Sequence, residues 1–201
     1  MDIFTQQLIN GLVLGSIYAL VALGYTMVYG ILELINFAHG EVTMIGAMVA
    51  LTVIGVLMGV APDMPGLMVV FGGLLIAIPA CMALAFGIEK IAYRPLRKAP
   101  RLAPLITAIG VSIILQNLAM LVWGRQYVSF PPILPRGQHE ILGAHITDLQ
   151  IFIVVLSFSI MAGLWLLVEK TRLGRAMRAT AQSKEVAELM GVNVDRVISA
   201  T

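Results

Sequence analysis

Five stretches of this chain run for 18 residues or more without a single Lys, Arg, Asp or Glu: Leu8–Ile31, Val42–Val60, Gly66–Ile88, Leu102–Trp123 and Ile151–Val168. As α-helices rising 1.5 Å per residue, each is about long enough to cross the ~30 Å hydrocarbon core of a bilayer. A soluble interior could not take them all. The chain is 59% apolar and 12% charged, whereas soluble domains run near 45–50% and 25%. The expected fold is therefore all-α: a polytopic transmembrane helical bundle, read as a single membrane domain over residues 1–201. A sixth apolar stretch opens near Val194 and the chain stops inside it, so the sequence reads as the first part of a longer protein. The N-terminal stretch lacks a basic n-region and is too long for a signal-peptide core, so it is expected to stay as a span.

Basic residues set the orientation, because Lys and Arg collect in cytoplasmic loops. Lys90, Arg94, Arg97, Lys98 and Arg101 follow the third span; Lys170, Arg172, Arg175, Arg178, Lys184 and Arg196 follow the fifth. Together they make 11 of the 13 basic residues. The loop between spans four and five has only Arg125 and Arg136. Both basic segments should face the cytoplasm, and the N-terminus the outside, provided the first two stretches each cross separately. With a net charge of +2 and no basic face, no nucleic-acid partner is expected.

Enzyme chemistry is poorly represented. Cys81, the single cysteine, lies within an apolar run and excludes an intrachain disulfide. His139 and His145 have no metal-ligand spacing, and no metal or cofactor is expected. The residues around them, Glu140–Leu149, alternate enough to pair as a small hairpin. Gly110–Ser112 resembles a nucleophile turn only distantly. No catalytic residue is assigned, and no phosphate-binding loop is present. Gly11, Gly15 and Ala19, and likewise Gly55 and Gly59, recur at spacings that suit close helix packing. Pro79 should kink the third span.

Polar residues at membrane depth face protein or a watery cavity. Two groups qualify as candidates for lining a pathway: Gln116 and Asn117 in the fourth span, and Asn36, His39 and Glu41 in "INFAHGEV", Ile35–Val42. That second segment reads in two ways. It is a cytoplasmic hairpin between two complete helices, or a polar break held inside the membrane by surrounding protein. Its lack of Lys and Arg argues for the break, and the length of both flanking runs for the hairpin.

The segment after the fifth span, residues 170–193, is organised. Ser183 can cap a helix, Glu185 suits its first turn, and Gly191 suits its end. The intervening two turns, Lys184–Met190, gather Val186, Leu189 and Met190 on one face. So short a helix needs a partner surface. That surface is a protein, or an anionic lipid surface with Arg175 and Arg178 as anchors.

Glu185-Val186-Ala187 followed three residues later by Gly191 resembles the Glu-Ala-Ala-x-x-x-Gly core of ABC importer permeases, with Val at the middle position. Three long segments carry a more specific likeness: "GLVLGSIYALVALGYTMVYGILELINFAHGE", "IEKIAYRPLRKAPRLAPLITAIGVSIILQN" and "LGRAMRATAQSKEVAELMGVNVDRVI". All three resemble permeases of branched-chain amino-acid ABC importers of the LivH type, of which this chain corresponds to the N-terminal two thirds. The resemblance implies a multi-pass inner-membrane permease that forms the pathway for Leu, Ile and Val. It further implies a second permease subunit, two cytoplasmic ATP-binding subunits that carry out ATP hydrolysis, and a periplasmic solute-binding protein. Glu185, Ala187, Leu189 and Gly191 would then belong to the coupling helix that docks on the ATPase. Relatives moving urea or short amides share the Asn-x-Ala-His-Gly-Glu signature. A proton-coupled transporter working through Glu41 or His39, and an intramembrane enzyme using Asn36, His39 and Glu41, are the readings from other classes.

Overall fold

The computed structural model describes residues 2–32, 35–96, 99–100, 102–133, 137–141 and 144–201, with backbone alone at residues 2, 138 and 141. Arg97, Lys98, Arg101 and Arg136, counted among the loop cations above, lie outside the described residues. Five long helices are present: α1 (Asp2–Leu32), α2 (His39–Val60), α3 (Gly66–Ile88), α4 (Leu102–Trp123) and α5 (Asp148–Lys170). All five are long and apolar enough to cross a membrane. They are apolar on every side, and large side chains such as Leu75, Leu121 and Val60 stand exposed. That pattern suits helices solvated by lipid.

The elements extend past the apolar stretches wherever a local polar partner exists. α5 begins at Asp148 because Thr147 and Gln150 form a reciprocal capping box at its start. α2 begins at His39 rather than Val42, so His39 and Glu41 belong to the helix and not to the break before it. Asn36 makes this possible by turning its Oδ1 back onto the Ala38 N–H at 3.1 Å, a side-chain mimic of a turn. α3 runs through Pro79 and continues as a π-helical turn, Glu89–Tyr93, and a 3-10 turn, Arg94–Leu96.

The chain divides into two compact units, Met1–Glu33 with Pro135–Thr201, and Leu34–Leu134. In the first unit α1 and α5 run in the same direction. At one end Gln6 Nε2 donates to the His145 carbonyl at 3.1 Å and Gln150 Nε2 to Asn10 Oδ1 at 3.3 Å. A two-stranded antiparallel hairpin lies there, β1 (Gln138–Ile141) and β2 (Ala144–Thr147), with His139 opposite Ile146. At the other end Ile31 and Leu32 of α1 meet Leu167 and Val168 of α5. The chain then turns sharply through Thr171 into α6 (Arg172–Gln182), α7 (Lys184–Leu189) and α8 (Val194–Ala200). The N-terminus thus lies at the end of this unit opposite the cationic segment 170–196, as an outside N-terminus requires.

In the second unit α2 and α3 pack antiparallel along glycines. A Cβ on Gly73 would lie 2.9 Å from Ile54 Cγ1, and one on Gly46 would lie 2.6 Å from Cys81 Sγ. The glycines singled out by spacing behave differently: around Gly11, Gly15, Gly55 and Gly59 the space is open among the described residues. α4 lies against α2 and runs with it, as two side-chain bonds show: Gln116 to Glu41, and Trp123 to Thr52.

Candidate functional site

Two places gather the candidate residues, one in each unit. In the second unit the centre is Glu41, in the first turn of α2. Its Oε1 accepts from Ser112 Oγ at 3.0 Å and from Gln116 Nε2 at 2.7 Å. Ser112 stands ten residues into α4, roughly 15 Å from the start of a helix roughly 33 Å long. The start of α2 is therefore level with the middle of α4. Further along, Trp123 Nε1 donates to Thr52 Oγ1 at 2.8 Å and fixes the same offset a second time. About 12 Å, a little over a third of a helix length, separates the two N-termini.

The Asn36 side chain is held from two sides. Its Oδ1 accepts from Ala38 N and from the Tyr93 hydroxyl, the latter at 2.7 Å. Tyr93 is buried, in the π-helical turn that prolongs α3. The segment Ile35–Ala38 is thus non-helical chain fastened through the Asn36 side chain, to the Ala38 N–H within it and to the Tyr93 hydroxyl. His39 is half-buried at the start of α2 and makes a contact of its own. The structure brings Glu41 and Gln116 together and leaves Asn117 apart: its Nδ2 returns to the Ile113 carbonyl of its own helix at 2.8 Å.

Two participants, Ser112 and Tyr93, were missed by sequence reasoning. Ser112 was legible in principle. It lies four residues before Gln116, on the same helical face, whereas Asn117 is turned about 100° away. Ser112 sits mid-helix with its hydroxyl committed to Glu41, so the nucleophile turn at Gly110–Ser112 does not exist. Tyr93 carried no such signal, since its partner is set by where α3 continues past its apolar stretch.

The second place is the α6–α8 end of the first unit. Ile31, Met177, Ala187, Val194, Val197 and Ile198 form one buried cluster. Ser183 caps α7, its Oγ accepting from Val186 N at 3.3 Å, and Gly191 takes the left-handed conformation at φ +82° just past its end. Ala187 is 3% exposed and faces the cluster, while Val186, Leu189 and Met190 are 57%, 87% and 79% exposed. Glu185 is exposed on the same short helix. α7 is therefore seated by one small residue and offers three apolar ones outward. Arg178 does not reach outward as an anchor. Its guanidinium donates to the Val168 carbonyl and to Glu169 Oε2 at 3.1 Å, closing the α5–α6 corner. Lys184 Nζ donates to the Leu32 carbonyl at 3.3 Å, at the C-terminal end of α1.

With this geometry in hand, the family can be stated. Residues 7–201 match the family model described as branched-chain amino acid transport system / permease component. The chain belongs to that permease family. Among its relatives is the high-affinity branched-chain amino acid transport system permease protein LivH of Escherichia coli. It is 45% identical over 202 residues, covering 98% of this chain and 65% of the relative. BraD of Pseudomonas aeruginosa, named in the same terms, is 45% identical over 202 residues, covering 98% of this chain and 66% of its own. A probable LivH of Methanocaldococcus jannaschii is 28% identical over 199 residues, covering 97% of this chain and 61% of its own. This chain thus spans a little under two thirds of the length of the relatives it matches. No solved structure matches it. As a member of this permease family with five span-length apolar helices, it is a multi-pass membrane protein.

Proposed function

We propose that this chain forms the membrane-spanning pathway of an ATP-binding-cassette importer for branched-chain amino acids in a bacterial inner membrane. A second permease subunit, two cytoplasmic ATP-binding subunits and a periplasmic solute-binding protein complete the assembly, and ATP hydrolysis belongs to the ATP-binding subunits alone. The observation that carries this reading is α7. A two-turn helix with Leu189 and Met190 almost fully exposed is not stable by itself in water. Here it is held on a packed core and capped at both ends, with its apolar face turned outward. Such a helix suits a groove on a partner protein. Glu185, Ala187, Leu189 and Gly191 are its coupling residues: Leu189 enters the groove, Ala187 seats the helix, and Gly191 ends it. Asn36, His39, Glu41, Gln116 and Asn117 supply the polar lining of the pathway.

Replacing Leu189 by Ser tests the reading. The variant should accumulate in the membrane like the parent, because Leu189 supports nothing inside the fold, and it should lose co-purifying ATPase and ATP-driven leucine uptake together. A Leu189→Ser protein that kept both would remove α7 as the coupling element. Uptake that survived ATP depletion but collapsed with the proton gradient would favour a secondary transporter.

A further inference from the structure

Glu41 is a carboxylate with one oxygen committed and one open. Both of its donors, Ser112 and Gln116, end on Oε1. Among the described residues no donor meets Oε2. The side chain is half-buried and level with the middle of α4, roughly 15 Å from that helix's start. An ionised carboxylate half-buried among membrane-spanning helices is costly unless a cation or several donors face it. Two neutral donors on a single oxygen orient the group and offset part of that cost. Among the described cations of this unit, Lys90 lies over the Phe86 ring at 5.9 Å. Oε2 is left facing a complement that no described residue of this unit supplies.

We infer that Glu41 Oε2 binds the α-ammonium group of the amino acid as it passes the start of α2 beside α4, with Ser112 and Gln116 holding the carboxylate in place. The inference rests on the importer reading above and adds a role for one atom. An amino acid with an aliphatic side chain enters as a zwitterion, and its ammonium is the group that loses most when stripped of water. A charge-assisted hydrogen bond to a carboxylate is about twice as strong as a neutral one. Such a contact ignores the side chain, so one carboxylate serves Leu, Ile and Val alike. Thr52 and Trp123 keep α2 from sliding along α4, which fixes the depth at which the oxygen is presented. No bond is made or broken and no proton needs to move.

The test uses the full-length permease in its complete complex, reconstituted in proteoliposomes with labelled leucine and the binding protein outside and ATP inside. Glu41→Gln keeps an oxygen for Ser112 and Gln116 and removes the charge, so the complex should assemble. Its maximal uptake rate should fall tenfold or more, while the half-saturating leucine concentration, set by the binding protein, stays within twofold. Glu41→Asp keeps the charge and should fall less. Ser112→Ala, which releases the carboxylate without removing it, should lie between Glu41→Asp and Glu41→Gln. A Glu41→Gln complex with the parent's maximal rate would overturn the inference, and so would one that no longer assembles with the second permease subunit, since Oε2 would then be an assembly contact. Equal uptake loss in Glu41→Asp and Glu41→Gln would overturn it too. Failure of the underlying reading looks different: the unaltered complex would show no ATP-dependent leucine uptake at all.

Discussion

The corner between α5 and α6 is a place where helix propensity and packing predict opposite outcomes. Gly174 sits in the first turn of α6, where its N–H donates to Thr171 Oγ1 at 3.0 Å. Its backbone is an ordinary helical one, so an Ala there should favour α6 by about 1 kcal/mol. The space says otherwise. A Cβ at Gly174 would lie 2.1 Å from the Val168 carbonyl oxygen and 2.4 Å from that of Leu167, where 3.4 Å is ordinary contact. The first of these has to open by 1.3 Å. Overpacking costs about 1–3 kcal/mol when side chains can rotate aside. Here the obstacles are backbone atoms already tied down. The Thr171 hydroxyl donates to the Leu167 carbonyl, and the Arg178 guanidinium to that of Val168. The upper end of the range applies, and the net effect is about 2 kcal/mol against the closed corner. That corresponds to roughly a thirtyfold shift toward an open one.

The expected outcome for Gly174→Ala is local. α5 is a membrane span and should remain in place, whereas α6, α7 and α8 lose their seat. Limited proteolysis of the detergent-solubilised protein should cut within residues 171–193 far faster than in the parent. Amide exchange in α7 should rise with it, while α2 and α4 exchange as before. A Gly174→Ala protein as resistant as the parent, or more so, would mean that propensity wins and that the corner is not closed as described.

Other substitutions probe other joints. Trp123→Phe removes the indole N–H that reaches Thr52 and should cost about 0.5–1.5 kcal/mol, read as a lowered thermal midpoint with no change in α6–α8 exchange. Thr147→Ala breaks the capping box at the start of α5 and should cost about 1 kcal/mol, seen as faster exchange at Asp148–Gln150. Breaking the exposed pair between His139 and Asp148, 2.8 Å apart, with His139→Ala should change stability by less than 1 kcal/mol. Whatever effect it has should fade as salt is added.

The five spans were legible because a long uncharged apolar run has one stable form in a bilayer. The end of α7 was legible because Gly191 and Ser183 each have a chemical reason to stand at a helix end. The hairpin showed through its alternation but was drawn two residues late, at Glu140–Leu149: its strands are Gln138–Ile141 and Ala144–Thr147, and Asp148 and Leu149 open α5. What could not be read was the register between helices. Nothing local in "GEVTM" says that Glu41 stands opposite Ser112, because that pairing is decided by how α2 slides along α4, and Thr52 and Trp123 join in setting it. The glycines show the same dependence on register. Spacing identifies residues that permit close approach; Gly46, Gly72 and Gly73 are used because α3 meets α2 there, whereas no described residue closes on Gly55 or Gly59. The start of α2 was drawn three residues late, since His39 and Glu41 were judged by polarity rather than by the turn that Asn36 builds before them.

The same dependence on register gives the α6–α8 segment its most consequential contact. α7 is adjacent in sequence to α6, yet it is fastened to α1: Lys184, its first residue, donates to the Leu32 carbonyl, and Ile31 is 5% exposed in the cluster that seats Ala187. A free carbonyl at a helix C-terminus is a natural acceptor for Lys. If α7 docks on an ATPase, α1 is then the span that its displacement reaches directly, and Asn36 and His39 follow α1 within seven residues. Ile31→Ala should cost about 2–5 kcal/mol of local packing by leaving a cavity. Lys184→Met, which keeps the length of the side chain, should cost about 1 kcal/mol. Neither change touches Leu189 or Met190, so both variants should still co-purify with the ATPase. Their uptake per ATP hydrolysed should nevertheless fall, more in the double variant than in either single one. ATPase retention with an unchanged ratio of uptake to hydrolysis would show that α5, through Leu167 and Val168, carries the motion without α1.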